Sequence, residues 1–444
     1  MSRSAPKPGI IRDASSKLRI WRPTVGKNTT RKLTEATTNK DQPEVTIGLD
    51  VSDRTCCMCV LDRNGEVAAT GTIKLNETAL AMQFEHLPHA RVAFEVGTHS
   101  RWLAAMFEGW GHEVIVANAR KLAVISQNDR KSDGADAELL ARLARTDVKL
   151  LCPVEHRSEA AAKGLALVRS RAVIVRSRTM MINSIRGQVK TIGERMPSCD
   201  AEHFHEMTDR LPAALQTALS PLMTLVGELT KQIMMFDGML EKDADIIAPG
   251  ARRLTTINGV GLLTAVCFTL VMDDPTRFAK SRQVGPYLGL VPKRSQSGEI
   301  DKAMRISKAG DPYTRQLLVQ CAQTVMRSST KETELRQWGT KLAGTGKTSK
   351  RRATVAVARK LAVLMHHLLV TGETYNPFYE RDRKAAAAQR KEEATAQPKT
   401  AEGERKDASS QRKDTVPQPT TAGAERNGAA PPRTKETAAR RQAA

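Results

Sequence analysis

Five short β-rich runs, separated by helical stretches in one order, constrain the fold of this chain more than any other feature. The runs cover residues 45–51, 56–61, 67–74, 91–95 and 113–117. Asp62-Arg-Asn-Gly65 is a turn signal between the second and third, so the first three predict an antiparallel meander. Helical patterns at 80–86 and 101–110 precede the last two runs. Three strands, helix, strand, helix, strand is the ribonuclease-H-like layout, an α/β fold with a mixed sheet and helices on both faces.

Carboxylates fall at telling places in that layout. Asp50 ends the run Val45-Thr-Ile-Gly-Leu-Asp50, and Glu95 ends Val92-Ala-Phe-Glu95. Asp133 and Asp136 are three residues apart in Lys131-Ser-Asp-Gly-Ala-Asp-Ala-Glu-Leu. On a helix that spacing puts both on one face. A single acid at a strand end is ordinarily a solvated turn residue, but four in this order predict one pocket. Such a pocket suits Mg²⁺, which takes hard oxygen ligands in octahedral geometry, and paired Mg²⁺ ions cut phosphodiesters. Arg130 and Lys131, beside the acids, either steer a phosphate in or offset carboxylate repulsion.

The charge balance agrees. Seventy Lys and Arg against 48 Asp and Glu give a net charge of +22, which argues for a polyanionic partner such as nucleic acid. The seven cysteines form neither a disulfide framework nor paired metal spacing. Cys56-Cys57-Met58-Cys59 predicts a buried strand in a reducing cytoplasm. The N-terminus has no apolar signal core, and the longest apolar run, 260–272, is too short to cross a bilayer, so no membrane association is expected.

Composition divides the 444 residues into five parts. Residues 1–42 predict a disordered basic arm and 376–444 a disordered low-complexity tail. Between them lie the α/β region at 43–155, a helical region at 156–250 and a mainly helical region at 251–375. Apolar spacings of three and four predict helices over 160–189 and 207–247, as an antiparallel pair whose apolar stripe is either core or a partner interface. Gly259-Val-Gly261, between two helical patterns, is a helix-hairpin-helix signature whose glycines admit a DNA phosphate to backbone N–H groups. Gly344-Thr-Gly346-Lys347-Thr348 lacks the first P-loop glycine and any preceding strand, so it predicts a basic loop without ATP. His366-His367 in a helical stretch predicts packing rather than metal ligation.

These motifs together resemble the DEDD transposases of the insertion sequence 110 family, relatives of the Piv and MooV invertases. The similar segments are Gly48-Leu-Asp50-Val-Ser, Phe94-Glu95-Val-Gly-Thr-His-Ser100 and Asp129-Arg-Lys-Ser-Asp-Gly-Ala-Asp136. They continue through Ile257-Asn-Gly-Val-Gly261, Tyr287-Leu-Gly-Leu-Val-Pro292-Lys-Arg-Ser-Gln-Ser297-Gly298 and Arg305-Ile-Ser-Lys-Ala-Gly310. The resemblance covers about 43–375. It implies a RuvC-like N-terminal domain, a helical coiled-coil middle and a C-terminal transposase domain. It implies that Asp50, Glu95, Asp133 and Asp136 bind Mg²⁺ and that a serine attacks DNA. The family serine precedes a glycine after the Gly-Leu-x-Pro segment, which is Ser297 here, with Ser295 and Ser307 as rivals. It further implies a site assembled between subunits of a dimer, a tetramer in the synaptic complex, and guidance by a noncoding RNA.

A serine nucleophile has a physical logic. Attack by water loses the phosphodiester bond energy, whereas a phosphoserine ester keeps it for rejoining. The expected activity is therefore DNA cleavage and strand transfer by an insertion-sequence recombinase. The alternative is a RuvC-like junction nuclease using water, and a third reading is a nucleic-acid-binding protein with a decayed site.

Overall fold

The computed structural model describes residues 10–12, 18–20, 43–121, 132–297, 300–327 and 329–396. The chain divides into two units, one ending at Tyr375 and one beginning at Asn376. In the arm expected to be disordered, β1 (Ile10–Arg12) and β2 (Leu18–Ile20) pair antiparallel, each a short run containing β-branched Ile.

The five anticipated strands form one sheet. They are β3 (Thr46–Val51), β4 (Thr55–Leu61), β5 (Val67–Lys74), β6 (Arg91–Glu95) and β7 (Glu113–Ala117), in the order β5-β4-β3-β6-β7. The first three are antiparallel, while β3–β6 and β6–β7 are parallel. Helices α1 (Glu77–Phe84) and α2 (Ser100–Gly109) make the crossovers. Leu80, Phe84, Leu103 and Phe107 pack with Ile47, Leu49, Val92 and Phe94 on one face of the sheet. On the other face lies α3 (Asp133–Thr146), capped by Ser132, whose hydroxyl accepts from Ala135 N at 3.3 Å.

The middle of the chain is an antiparallel pair, α4 (Glu159–Thr191) and α5 (Ala213–Ile247). Pro212 delays the start of α5, which was expected from 207; residues 204–210 form a 3₁₀ turn instead. At the far end of the pair, Ile182, Ile185, Val189, Leu219, Met223 and Val226 form a small core. At the near end, Leu165, Val168, Leu240 and Ala244 join the C-terminal core. Of the two expectations for the stripe, core or partner interface, much of it is used as core inside the chain, because the two helices and their neighbours supply the nearest apolar surface.

That C-terminal core surrounds α7 (Leu262–Met272), which follows the short helix α6 (Ala251–Leu254) and is buried from Thr264 to Met272. Around it stand α8 (Val284–Tyr287), α9 (Pro312–Val325), α10 (Glu334–Ala343) and α11 (Lys347–Thr371). Helix α11 is long and apolar enough to cross a membrane, but its Val357, Leu361, Met365 and Leu368 lie in this core. His366 is packed as expected. Its Nε2–H donates to Pro275 O at 2.8 Å and its Nδ1 meets Ser281 Oγ at 3.0 Å. The Gly344–Lys347 segment closes α10 and opens α11, with Gly346 at the N-cap.

One element was absent from the sequence reading. Strands β8 (Pro292–Ser297) and β9 (Ile300–Ile306) form an antiparallel hairpin within the region expected to be mainly helical. Its residues 292–296 are polar or Pro and exposed on both faces, so no period-2 hydrophobic pattern marks the strand.

Asp311 caps α9, accepting from Thr314 N at 2.8 Å and from the Thr314 hydroxyl at 2.9 Å, and Arg169 of α4 donates to it at 3.1 Å. Burial pushes this carboxyl up, but those bonds outweigh it and hold it below its usual range. A depressed folded value means the contribution is full at neutral pH and fades as pH falls below about 4. Asp311→Ala is expected to cost about 2 kcal/mol at pH 7 in urea denaturation, from the lost cap and ion pair. The deficit should shrink in acid.

In the second unit, α12 (Tyr379–Ala396) corrects part of the expected disordered tail. Its Ala, Lys, Arg, Glu and Gln residues favour a helix without needing a core, and the side chains described from 381 to 389 are exposed.

Candidate metal centre and nucleophile-bearing hairpin

The parallel register fixes where two of the acids fall. Leu49 pairs with Phe94, so Asp50 and Glu95 are the next residues along neighbouring strands about 4.8 Å apart. Alternation along a strand puts Asp50 on the face of Gly48, and Glu95 on the face of Ala93. Both of those small residues lie beneath α3. Ala93 packs with Leu140 and Ala144. A Cβ on Gly48 would collide with Ala137 O and come within 2.6 Å of Ala141 N.

Helix α3 runs antiparallel to β3 and β6. Near its C-terminus, Arg145 donates to Pro43 O at 3.3 Å, and Arg91 at the start of β6 donates to Ala144 O at 2.9 Å. Its N-terminus therefore lies toward the strand ends that carry Asp50 and Glu95. Asp136 sits there, 6% exposed, and its Oδ1 is buried with no hydrogen-bond partner among the described residues. Asp133, one turn earlier, is exposed.

Topology thus brings the four predicted acids to one edge of the sheet. Among the described residues, however, no three carboxylate, imidazole or thiol groups stand close enough to hold one metal ion. The donor set still fits a hard cation: the groups are carboxylates, and one buried oxygen lacks a donor. Arg130 and Lys131 lie outside the described residues. Cys56 of β4, opposite Val51, has its thiol pushed up to about 12 by burial first, then by Cys57 and the Asp50 charge. Its thiol stays protonated at neutral pH.

The sequence reading passed over a contact at the same edge. His99, after β6, stands 3.6 Å from Asp53, after β3, and its Nδ1 accepts from the Trp102 indole at 3.1 Å. The segment Phe94–Ser100 contained this histidine, but nothing in its spacing gave it a role.

Ser297 is the last residue of β8, paired with Ile300 across residues 298 and 299, which lie outside the described ones. The hairpin's root explains two glycine motifs. Gly289 has φ +68, and a Cβ there would come within 2.7 Å of Lys308 C. Gly310 has φ +70, and a Cβ there would strike Tyr287 O. Arg315 clamps both strands of the root, donating to Leu288 O at 3.0 Å and Ala309 O at 2.7 Å. Of the rival serines, Ser295 is exposed, while the Ser307 hydroxyl is shut off from solvent.

Gly259, at φ +89, turns the chain beside Val325, where a Cβ would come within 3.0 Å of Cγ2. Gly261 is the N-cap of α7 and has open space where a Cβ would be. It caps no N–H with a side chain, so the first N–H groups of α7 keep their donors.

A family model described as a transposase, DEDD_Tnp_IS110, matches residues 47–193, and a model for the IS116/IS110/IS902 transposase family matches 251–337. The putative transposase y4pF/y4sB of Sinorhizobium fredii is 30% identical over 312 residues, covering 68% of this chain and 78% of the relative. The chain belongs to the IS110 family of transposases. The transposase for insertion sequence element IS1111A of Coxiella burnetii is 28% identical over 338 residues, covering 74% of this transposase and 90% of its own length. A probable family 20 transposase of Pseudomonas aeruginosa is 27% identical and covered over 98% of its length. The first family match contains all four acids, and the second contains Gly259, Gly261 and Ser297. This IS110-family member is a DNA transposase with an N-terminal α/β sheet domain and a mostly helical remainder.

Proposed function

We propose that this transposase cuts and rejoins DNA at the ends of an insertion sequence through a phosphoserine intermediate on Ser297, in a Mg²⁺-dependent reaction. The observation that carries the reading is the meeting of Asp50, Glu95 and the N-terminus of α3 at one sheet edge, with a buried Asp136 oxygen that has no donor among the described residues. We read residues 43–155 as a RuvC-like catalytic domain, the helix pair at 156–250 as the coiled-coil middle, and 251–375 as a transposase domain with a helix-hairpin-helix turn.

Asp50, Glu95, Asp133 and Asp136 would hold Mg²⁺, which when bound supplies charge stabilisation at the scissile phosphate. Ser297 Oγ bonds to phosphorus as the linkage to the departing sugar oxygen breaks. That sugar hydroxyl leaves with a proton, and a second sugar hydroxyl later displaces serine, so one phosphodiester replaces another. The hairpin that carries Ser297 is exposed from 292 to 296, which suits delivery to the acids of a second subunit. The outer face of α5, with Leu225, Met235 and Met239 each more than 40% exposed, is the subunit contact in this reading. Arg130, Lys131, Gly259 and Gly261 would hold DNA phosphates. A noncoding RNA from the element would choose the sites.

The test is to incubate the full-length protein with element-end DNA and Mg²⁺, trap the adduct and map it by mass spectrometry. A phosphoserine link at Ser297 is expected. Cleavage with no covalent species would favour the water-using nuclease instead.

A further inference from the structure

Beside the turn at Gly261, between α4 and α9, lies a half-open cavity of about 600 Å³, a size typical of small-molecule sites. Its polar lining is Arg171, Arg176, Thr179, Asn183, Tyr313, Gln316 and Gln320. None of the described lining residues is acidic. Leu263, the second residue of α7, forms part of the wall and connects the cavity to the turn at Gly261.

The lining divides into a fixed part and a free part. Arg171 is held by both oxygens of Asp237, at 2.5 and 2.7 Å, and by the Tyr313 hydroxyl, so these groups form a rigid wall. Arg176 forms no ion pair with a carboxylate among the described residues, and Asn183, Gln316 and Gln320 are exposed. Primary amides carry adjacent donor and acceptor atoms, as base edges do, and an aromatic ring or a guanidinium offers a stacking plane. A free guanidinium beside three amides meets the needs of a base and its phosphate together. A plain anion site would not need the amides, and an apolar ligand would leave them unpaired.

We propose that this cavity receives an unpaired nucleotide, with Arg176 on its phosphate and Asn183, Gln316 and Gln320 on its base edge. The inference rests on the reading of the chain as a nucleic-acid recombinase and adds a site for one strand-separated residue. Duplex DNA cannot enter, since its bases are stacked and paired, so the site favours single strands over duplex.

Full-length protein carrying Asn183→Ala, Gln316→Ala and Gln320→Ala together tests this, because all three side chains are exposed and the fold is checked by circular dichroism. Fluorescence anisotropy would use labelled mixed-sequence 12-nucleotide RNA, DNA of the same sequence, and the matching DNA duplex. The triple variant should lose about tenfold in affinity for a single strand and under twofold for the duplex. Whichever single strand loses more identifies the source of the nucleotide as RNA or DNA. Photocrosslinking of a 4-thiouridine RNA and a 4-thiothymidine DNA should label the peptide containing Tyr313 in the wild type. Equal losses on duplex and single strands, or crosslinks only elsewhere, overturn the cavity assignment and leave the recombinase reading standing. Wild-type protein that binds none of the three probes overturns both.

Discussion

Asp136→Asn should abolish Mg²⁺-dependent strand transfer, by about a thousandfold or more, while leaving the folded chain nearly as stable as before. The two halves of that expectation have different causes. Removing a carboxylate from a metal centre forfeits several kcal/mol of charge stabilisation in the transition state, and each 1.4 kcal/mol is a factor of ten. For stability, the buried Oδ1 has no hydrogen-bond partner among the described residues, so little is lost with the charge. A modest helix-dipole term at the start of α3 works the other way. The net change in metal-free urea denaturation should stay within about 1 kcal/mol. Adding Mg²⁺ separates the proteins: at a hundred times its Kd it should stabilise the wild type by about 2.7 kcal/mol and the variant hardly at all. A wild type indifferent to Mg²⁺ in thermal melts, across millimolar concentrations, would remove the metal from this edge.

Gly48→Val is expected to be the most destabilising single change in the N-terminal domain. The obstacle is backbone rather than side chain: Ala137 O and Ala141 N of α3 already occupy the space a Cβ needs. Neither can rotate away, so the helix would have to lift from the sheet and expose Leu140, Ala141 and Ala144. Overpacking of this kind costs about 1–3 kcal/mol where side chains can yield, and more where they cannot. A loss above about 3 kcal/mol is predicted, read as a fall in the urea midpoint. Activity should disappear as well, since lifting α3 carries Asp133 and Asp136 away from Asp50 and Glu95. Gly71→Val is the control. A Cβ there meets only Met58 Cε at 3.4 Å, a flexible thioether end, and its effect should be small.

The sheet was readable from sequence because its signals are local. Hydrophobic runs ending in acids, and the Asp62–Gly65 turn, place β3 to β7 within a residue or two of where they lie. The hairpin bearing Ser297 was not readable, because β8 is polar on both sides and the hairpin owes its shape to the crowded root at Gly289 and Gly310. The glycines themselves were visible; the contacts that require them join residues far apart in sequence, Gly289 with Ala309 and Gly310 with Tyr287. The gathering of acids at one edge followed from strand order plus the direction of α3. Helix α12 was missed for another reason, that low-complexity composition without core residues is compatible with either a coil or a solvated helix.

The near end of the helix pair shares its interior with α7 and α11. Chimeras between family members should therefore exchange residues 156–375 as one cassette. A crossover near 250 would set Leu240 and Ala244 of one parent against Leu270 and Leu361 of the other, whereas a junction near 155 cuts through little common packing.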